Sequence, residues 1–125
     1  MSLTTALAAL LAFEIKHFLG DFVLQTKWQV DSKKRYLSPG SLLHAGIHAV
    51  LSVPALMVFT ASPVVLAGVP VGEFLLHYHV DFAKARIDVA TGWTQADQAY
   101  WMLFGFDQLV HQLTYLGIVA FFALG

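Results

Sequence analysis

Four long apolar stretches of this 125-residue chain each carry a pair of acidic or histidine residues four positions apart. Residues at this spacing lie one turn apart on the same face of an α-helix. Ionisable side chains inside apolar helices are costly, so they normally face the interior of a bundle and mark a functional site. The sequence therefore predicts helices that surround one polar interior. The four pairs are His17/Asp21, His44/His48, His77/Asp81 and Asp107/His111.

The composition favours the lipid bilayer as the solvent of this chain. Hydrophobic residues make up 58% of it and charged residues only 12%, whereas a soluble domain has about 25% charged residues. The net charge of −1 gives no basic footprint for nucleic acid, and the absence of cysteine excludes disulfides and thiolate metal ligands. We therefore expect one integral membrane domain over residues 1–125.

Hydropathy and capping residues predict an all-α, four-helix membrane bundle. Each stretch approaches the roughly 20 apolar residues that a spanning helix needs. Ser38 and Ser62 each precede a proline at the first helical position, and Thr94 and Asp97 are spaced as a capping box. The predicted helices cover residues 3–27, 39–60, 63–87 and 95–124.

The distribution of basic residues predicts the orientation of this bundle. All lysines and arginines except Lys16 lie at the first and third connections. The positive-inside rule puts these connections in the cytoplasm and both termini outside it. Counted from the basic side at 1.5 Å per residue, three polar pairs lie roughly 8–15 Å deep and the fourth roughly 18–24 Å deep. We therefore expect a polar cluster in the cytoplasmic half of the membrane.

The chemistry of these pairs predicts a site for a divalent metal. Neutral imidazole and carboxylate are the usual ligands of zinc, iron and manganese, and helical bundles build such sites from inward-facing side chains. Asp81 and Asp107 are also expected to act as catalytic carboxylates that carry protons. The expected metal ligands are His17, Asp21, His44, His48, His77, Asp81, Asp107 and His111.

Other polar residues are expected around the ligands. Lys84, one turn from Asp81, would either reach a phosphate or carboxylate of a substrate or extend to the membrane interface. Lys16 lies off the His17/Asp21 face, and its partner would be Glu14 or an adjoining subunit. If the four pairs of histidines and acids bind no metal, they would instead form hydrogen bonds between helices. The expected supporting residues are Gln25, Glu73, Lys84 and Gln108.

The motifs resemble those of the small bacterial membrane proteins grouped as domain-of-unknown-function family 3307. They are H-x-x-G-D-F-x-x-Q over residues 17–25, Leu43-His44 with His48, His77 with Asp81 and Lys84, and D-Q-x-x-H over residues 107–111. The similarity covers roughly Phe13 to Leu116. This resemblance implies a multi-pass, four-helix protein of the bacterial inner (cytoplasmic) membrane and implies no activity. The chain is also loosely similar to the membrane-bound metal-dependent hydrolases, although their tandem aspartates are absent.

Three functions remain open from the sequence. The first is a metal-dependent intramembrane hydrolase or oxygenase that acts on a membrane lipid or a lipid-like substrate. The second is a non-catalytic accessory or cofactor-holding subunit of a larger membrane complex, or a homo-oligomer. The third is a metal or proton transporter, which the nearly featureless outer halves of the second and fourth helices disfavour.

Overall fold

Five α-helices and one π-helical turn form the regular structure in the computed structural model, which describes all 125 residues. Helix α1 covers Leu3–Phe18 and continues directly into the π-helical turn Leu19–Val23. There is no strand, so the predicted all-α class is confirmed. The other helices are α2, Lys27–Ser32; α3, Pro39–Leu56; α4, Pro63–Thr91; and α5, Gln98–Leu124.

Local sequence signals account for most helix boundaries. Ser38 and Ser62 are the N-caps of α3 and α4, and each is followed by proline at the first helical position, as predicted. Helix α4 ends at Thr91, and the glycine that follows it, Gly92, has a φ of 66° in the left-handed region that favours glycine. Thr26 and Gln29 form a capping box that starts α2.

The structure differs from the predicted helices at the two basic connections. The first predicted helix extended to residue 27, but the π-helical turn ends at Val23 and Thr26 caps a separate helix, α2. Helix α5 begins at Gln98 rather than at residue 95. An Asp97 carboxylate oxygen accepts a hydrogen bond from the backbone N–H of Thr94 at 2.7 Å, which holds these residues in a turn before the helix. Helices α3 and α4 end at Leu56 and Thr91, whereas the sequence predicted that they end at residues 60 and 87.

The interior has an apolar end and a polar end. The apolar end lies near both termini, where the start of α1 packs against the ends of α3 and α5. The polar end lies towards α2, where the histidines and acids of all four long helices are buried. The apolar core consists of Ala9, Phe13, Ala55, Leu56, Tyr115 and Val119.

The outer surface is dominated by large hydrophobic side chains. Leu3, Val64 and Phe121 are 76%, 81% and 74% exposed. Buried polar or charged residues outnumber buried hydrophobic ones by 14 to 8, which is the reverse of the usual distribution in soluble proteins. One helix, α4, is long and apolar enough by composition to cross a membrane. The four-span bundle therefore stays a prediction.

Candidate metal centre

The π-helical turn Leu19–Val23 brings the backbone of the first helix against α3. A Cβ atom built on Gly20 would lie 2.4 Å from Nε2 and 2.5 Å from Cε1 of His48. Only glycine permits this approach, and it places the neighbouring Asp21 carboxylate beside the imidazoles of α3. Single π-helical turns of this kind often occur at functional sites.

One candidate ligand group lies between the π-helical turn, α3 and α4. Oδ1 of Asp21 lies 2.8 Å from Nε2 of His48 and 3.2 Å from Nε2 of His44. Nε2 of His77 lies 3.3 Å from Nε2 of His44. The ligand atoms of these four residues all lie within 4.8 Å of one another, so the group could hold a metal ion. All three histidines are fully buried.

A second candidate group shares His77 with the first. Oδ2 of Asp81 lies 3.3 Å from Nε2 of His77, and Oδ1 lies 3.2 Å from Nε2 of His111. Oδ2 is also 3.3 Å from Nε2 of His44, which links the two groups directly. The His77, Asp81 and His111 ligand atoms also lie within 4.8 Å of one another. These buried imidazoles and carboxylates are a donor set suited to zinc, iron or manganese.

The remaining two expected ligands lie beside these groups. His17 uses both ring nitrogens: Nε2 is 2.8 Å from Oε1 of Gln108 and Nδ1 is 3.0 Å from the hydroxyl of Tyr115. Its Nε2 is also 3.2 Å from Oδ2 of Asp21. Oδ1 of Asp107 lies 3.3 Å from Nε2 of His111 and belongs to neither ligand group.

Two of the four expected supporting residues, Gln25 and Gln108, contact predicted ligands, whereas Glu73 and Lys84 contact none of them. Gln108 donates hydrogen bonds to Oδ2 of Asp21 at 3.2 Å and to Oδ2 of Asp107 at 3.3 Å. Gln25 donates to the backbone carbonyl of Asp21 at 3.0 Å. Glu73 instead accepts hydrogen bonds from Lys16 and Ser52, and Lys84 forms an ion pair with Asp88. Lys16 thus pairs with Glu73 of α4 rather than with Glu14.

Two residues at the site were not anticipated from the sequence. Nζ of Lys33 lies 2.8 Å from Oδ2 of Asp81 and 2.6 Å from Oε1 of Gln25. The sequence placed Lys33 in the first basic connection. The Thr26/Gln29 capping box is the local signal that could have indicated an ordered segment there. Tyr115 continues the Asp107/His111 face by one further turn, so helical periodicity contained this signal.

A cavity of about 300 Å³ opens next to the ligand groups, at the end of the bundle that carries α2. Its floor includes the carboxylates of Asp21, Asp81 and Asp107. Lys33, Lys34 and Lys84 also line it. A small polar molecule in this cavity would therefore meet the acids of the cluster directly.

Comparison with known families agrees with the motifs. A model of the family described as "Protein of unknown function (DUF3307)" matches residues 8–124, nearly the whole chain. The chain belongs to this family. No curated protein and no solved structure matches it. The function of this DUF3307 protein therefore has to be argued from the geometry of its buried histidines and acids.

Replacing Gly20 by alanine is expected to displace the His48 ring and to destabilise the protein by about 1–3 kcal/mol, the usual cost of overpacking. Thermal unfolding of the purified protein, followed by circular dichroism, would measure this loss. Gly46→Ala is the matched control, because a Cβ there meets nothing within 4 Å. An unfolding temperature for Gly20→Ala equal to that of Gly46→Ala would contradict the close approach.

Proposed function

We propose that this DUF3307 protein is an integral membrane protein that binds a divalent metal ion inside its helical bundle and uses it to hydrolyse a lipid-like substrate. The observation that carries this proposal is the donor set of half-buried Asp21 and buried His44, His48 and His77. Their ligand atoms lie within 4.8 Å of one another, and the Asp81 carboxylate lies beside His44 and His77. Zinc, iron and manganese are the metals that such a set fits.

The distribution of apolar surface supports the membrane part of the proposal. The long helices expose large aliphatic and aromatic side chains along their lengths and bury polar ones. A bilayer accepts this arrangement because lipid solvates the apolar exterior and polar groups pair inside the bundle. With α2 and the basic connections on the cytoplasmic side, the buried cluster lies in the cytoplasmic half of a multi-pass protein.

The cavity supports an assignment of chemical roles to Asp81 and Asp107. A bound ion would polarise a substrate oxygen or activate water. Asp107 faces the cavity and contacts only His111 and Gln108 among the polar groups, so its carboxylate is placed to accept a proton there. The Asp81 carboxylate contacts one histidine from each of α3, α4 and α5, and it also pairs with the ammonium of Lys33.

The unused ring nitrogens favour a second candidate, a non-catalytic subunit of a membrane complex. Nδ1 of His44, His48 and His77 is buried without a hydrogen-bond partner, whereas a metal-ligating histidine usually donates from its other nitrogen. If Nε2 carries the proton instead, it can donate directly to Asp21 or Asp81. The histidines would then hold the helices together without any metal.

Elemental analysis of the purified protein distinguishes the two candidates. We expect the protein to stay in carbonate-washed membranes, to need detergent for extraction, and to carry a stoichiometric amount of zinc, iron or manganese. His77→Ala, which removes the ligand common to both groups, should lose the metal. His79→Ala is the matched control on the same helix, because that exposed ring bonds only to Tyr36 and to the Leu75 carbonyl.

The outcomes separate the two parts of the proposal. A folded protein without metal, at wild-type stability in both variants, would overturn the metal site and favour the hydrogen-bonded cluster. Release from membranes by carbonate alone would overturn the membrane placement.

A further inference from the structure

A second, apolar groove opens from the same site. It has a volume of about 190 Å³ and lies between α4 and α5. Lys84 and Asp107 line both this groove and the polar cavity, so these two side chains lie at the boundary between the two spaces. Apart from these two residues its lining is wholly apolar: Val80, Ala83, Ile87, Leu103, Phe106 and Val110.

The groove faces the exterior of the bundle. Ala83, Ile87 and Phe106 are exposed, and Phe106 has 63% of its surface accessible. In the membrane placement of the proposed function, this exterior is in contact with lipid chains. A hydrocarbon chain can therefore lie along the α4–α5 groove without leaving the bilayer.

Three lysine ammonium groups near the junction offer partners for an anionic head group, although five aspartates line the same cavity. Nζ of Lys84 lies 3.3 Å from Oδ2 of Asp88 and 5.6 Å from the centre of the Phe104 ring, at the edge of the polar cavity. Lys33 and Lys34 line the same cavity, and lysine ammonium groups commonly bind phosphate. Because aspartates outnumber lysines in this lining, and Lys33 and Lys84 already pair with Asp81 and Asp88, a bound divalent cation would be needed to offset the repulsion of a phosphate.

We propose that the α4–α5 groove admits the hydrocarbon chain of a phosphate-headed amphiphile and that Lys84 binds its phosphate at the mouth of the metal centre. This inference rests on the proposed function, since it names the substrate class of that site. A comparable groove between α3 and α4 is lined by Gly46, Ala49, Val50 and Ala67 among others and by no charged residue. This groove could hold a hydrocarbon chain but has no charged residue to bind a head group, so it serves as the internal control.

Binding of hexadecyl phosphate to the detergent-solubilised protein tests the proposal. Equilibrium binding of the radiolabelled amphiphile should weaken about tenfold or more in Ala83→Phe, which fills the groove from its exposed side, and in Lys84→Gln. Ala67→Phe adds the same ring to the α3–α4 groove and should bind like the wild type. Lys84→Arg should retain binding, and removal of metal by a chelator should weaken it.

Each outcome bears on a separate step. Wild-type affinity in Ala83→Phe or Lys84→Gln, or equally tight binding of inorganic phosphate, would overturn the inference. A metal-loaded protein that binds no hexadecyl phosphate would overturn it while leaving the proposed metal site intact. A metal-free protein whose binding still depends on Ala83 and Lys84 would support the groove, but it would contradict both the proposed metal site and the need for a cation beside the phosphate.

Discussion

Replacing Asp81 by asparagine is expected to eliminate the second ligand group, with any metal that this group holds, and to lower the free energy of unfolding by about 3–5 kcal/mol, the cost of removing one partner from a buried ion pair. Its carboxylate oxygens lie within 3.3 Å of Nε2 of His44, His77 and His111. Lys33 also lies 2.8 Å from Oδ2, so the variant would leave a largely buried ammonium without its carboxylate partner. Elemental analysis and unfolding in detergent–dodecyl sulfate mixtures would measure the two effects.

Asp107→Asn is the matched control for that prediction. Asp107 is also buried, but its carboxylate contacts only His111 and Gln108, and it belongs to neither ligand group. We expect this variant to retain its metal and to lose far less stability than Asp81→Asn. Equal losses in the two variants, or full metal content in Asp81→Asn, would contradict the central position assigned to Asp81.

Helical periodicity was sufficient to predict that these histidines and acids share inward faces, but not which of them group together, since His17 and Asp107 belong to neither ligand group. His44 and His48, or His77 and Asp81, lie on one face of a helix whatever the surrounding fold, and the cost of burying them in apolar surroundings directs that face inward. The all-α class and the family also followed from the sequence. These features depend on local spacing and on composition, which the chain carries without reference to its tertiary contacts.

The contacts of Lys33 and the π-helical turn could not be predicted in the same way. The turn depends on the packing of Gly20 against the His48 ring, which lies 28 positions away along the chain. Lys33 reaches Asp81 because α2 packs on α3, where a Cβ on Gly40 would lie 2.4 Å from Oγ of Ser32. Such long-range contacts have no periodic signature in the sequence.

Lys16 is the residue for which the sequence was least informative. Its ammonium forms a buried ion pair with Glu73, which also accepts a hydrogen bond from Ser52. The same ammonium donates to the His48 carbonyl at 3.3 Å and lies 4.4 Å from the centre of the Tyr115 ring. The pair therefore joins α1, α3 and α4 just beyond the histidine cluster, at a position that no ligand group includes.

Replacing Lys16 by methionine is expected to cost about 3–5 kcal/mol, because it leaves the Glu73 carboxylate buried with only the Ser52 hydroxyl as a partner. The double variant Lys16→Met/Glu73→Met should recover most of this loss, since two apolar side chains of similar volume replace the whole pair. Unfolding in detergent–dodecyl sulfate mixtures, followed by circular dichroism, measures both. Lys27→Met, which breaks the exposed Lys27–Asp31 pair, should cause no measurable change. If the double variant is as unstable as Lys16→Met, the role of Lys16 is to pack α1 against Tyr115 and α3, and neutralising Glu73 is not what stabilises the bundle.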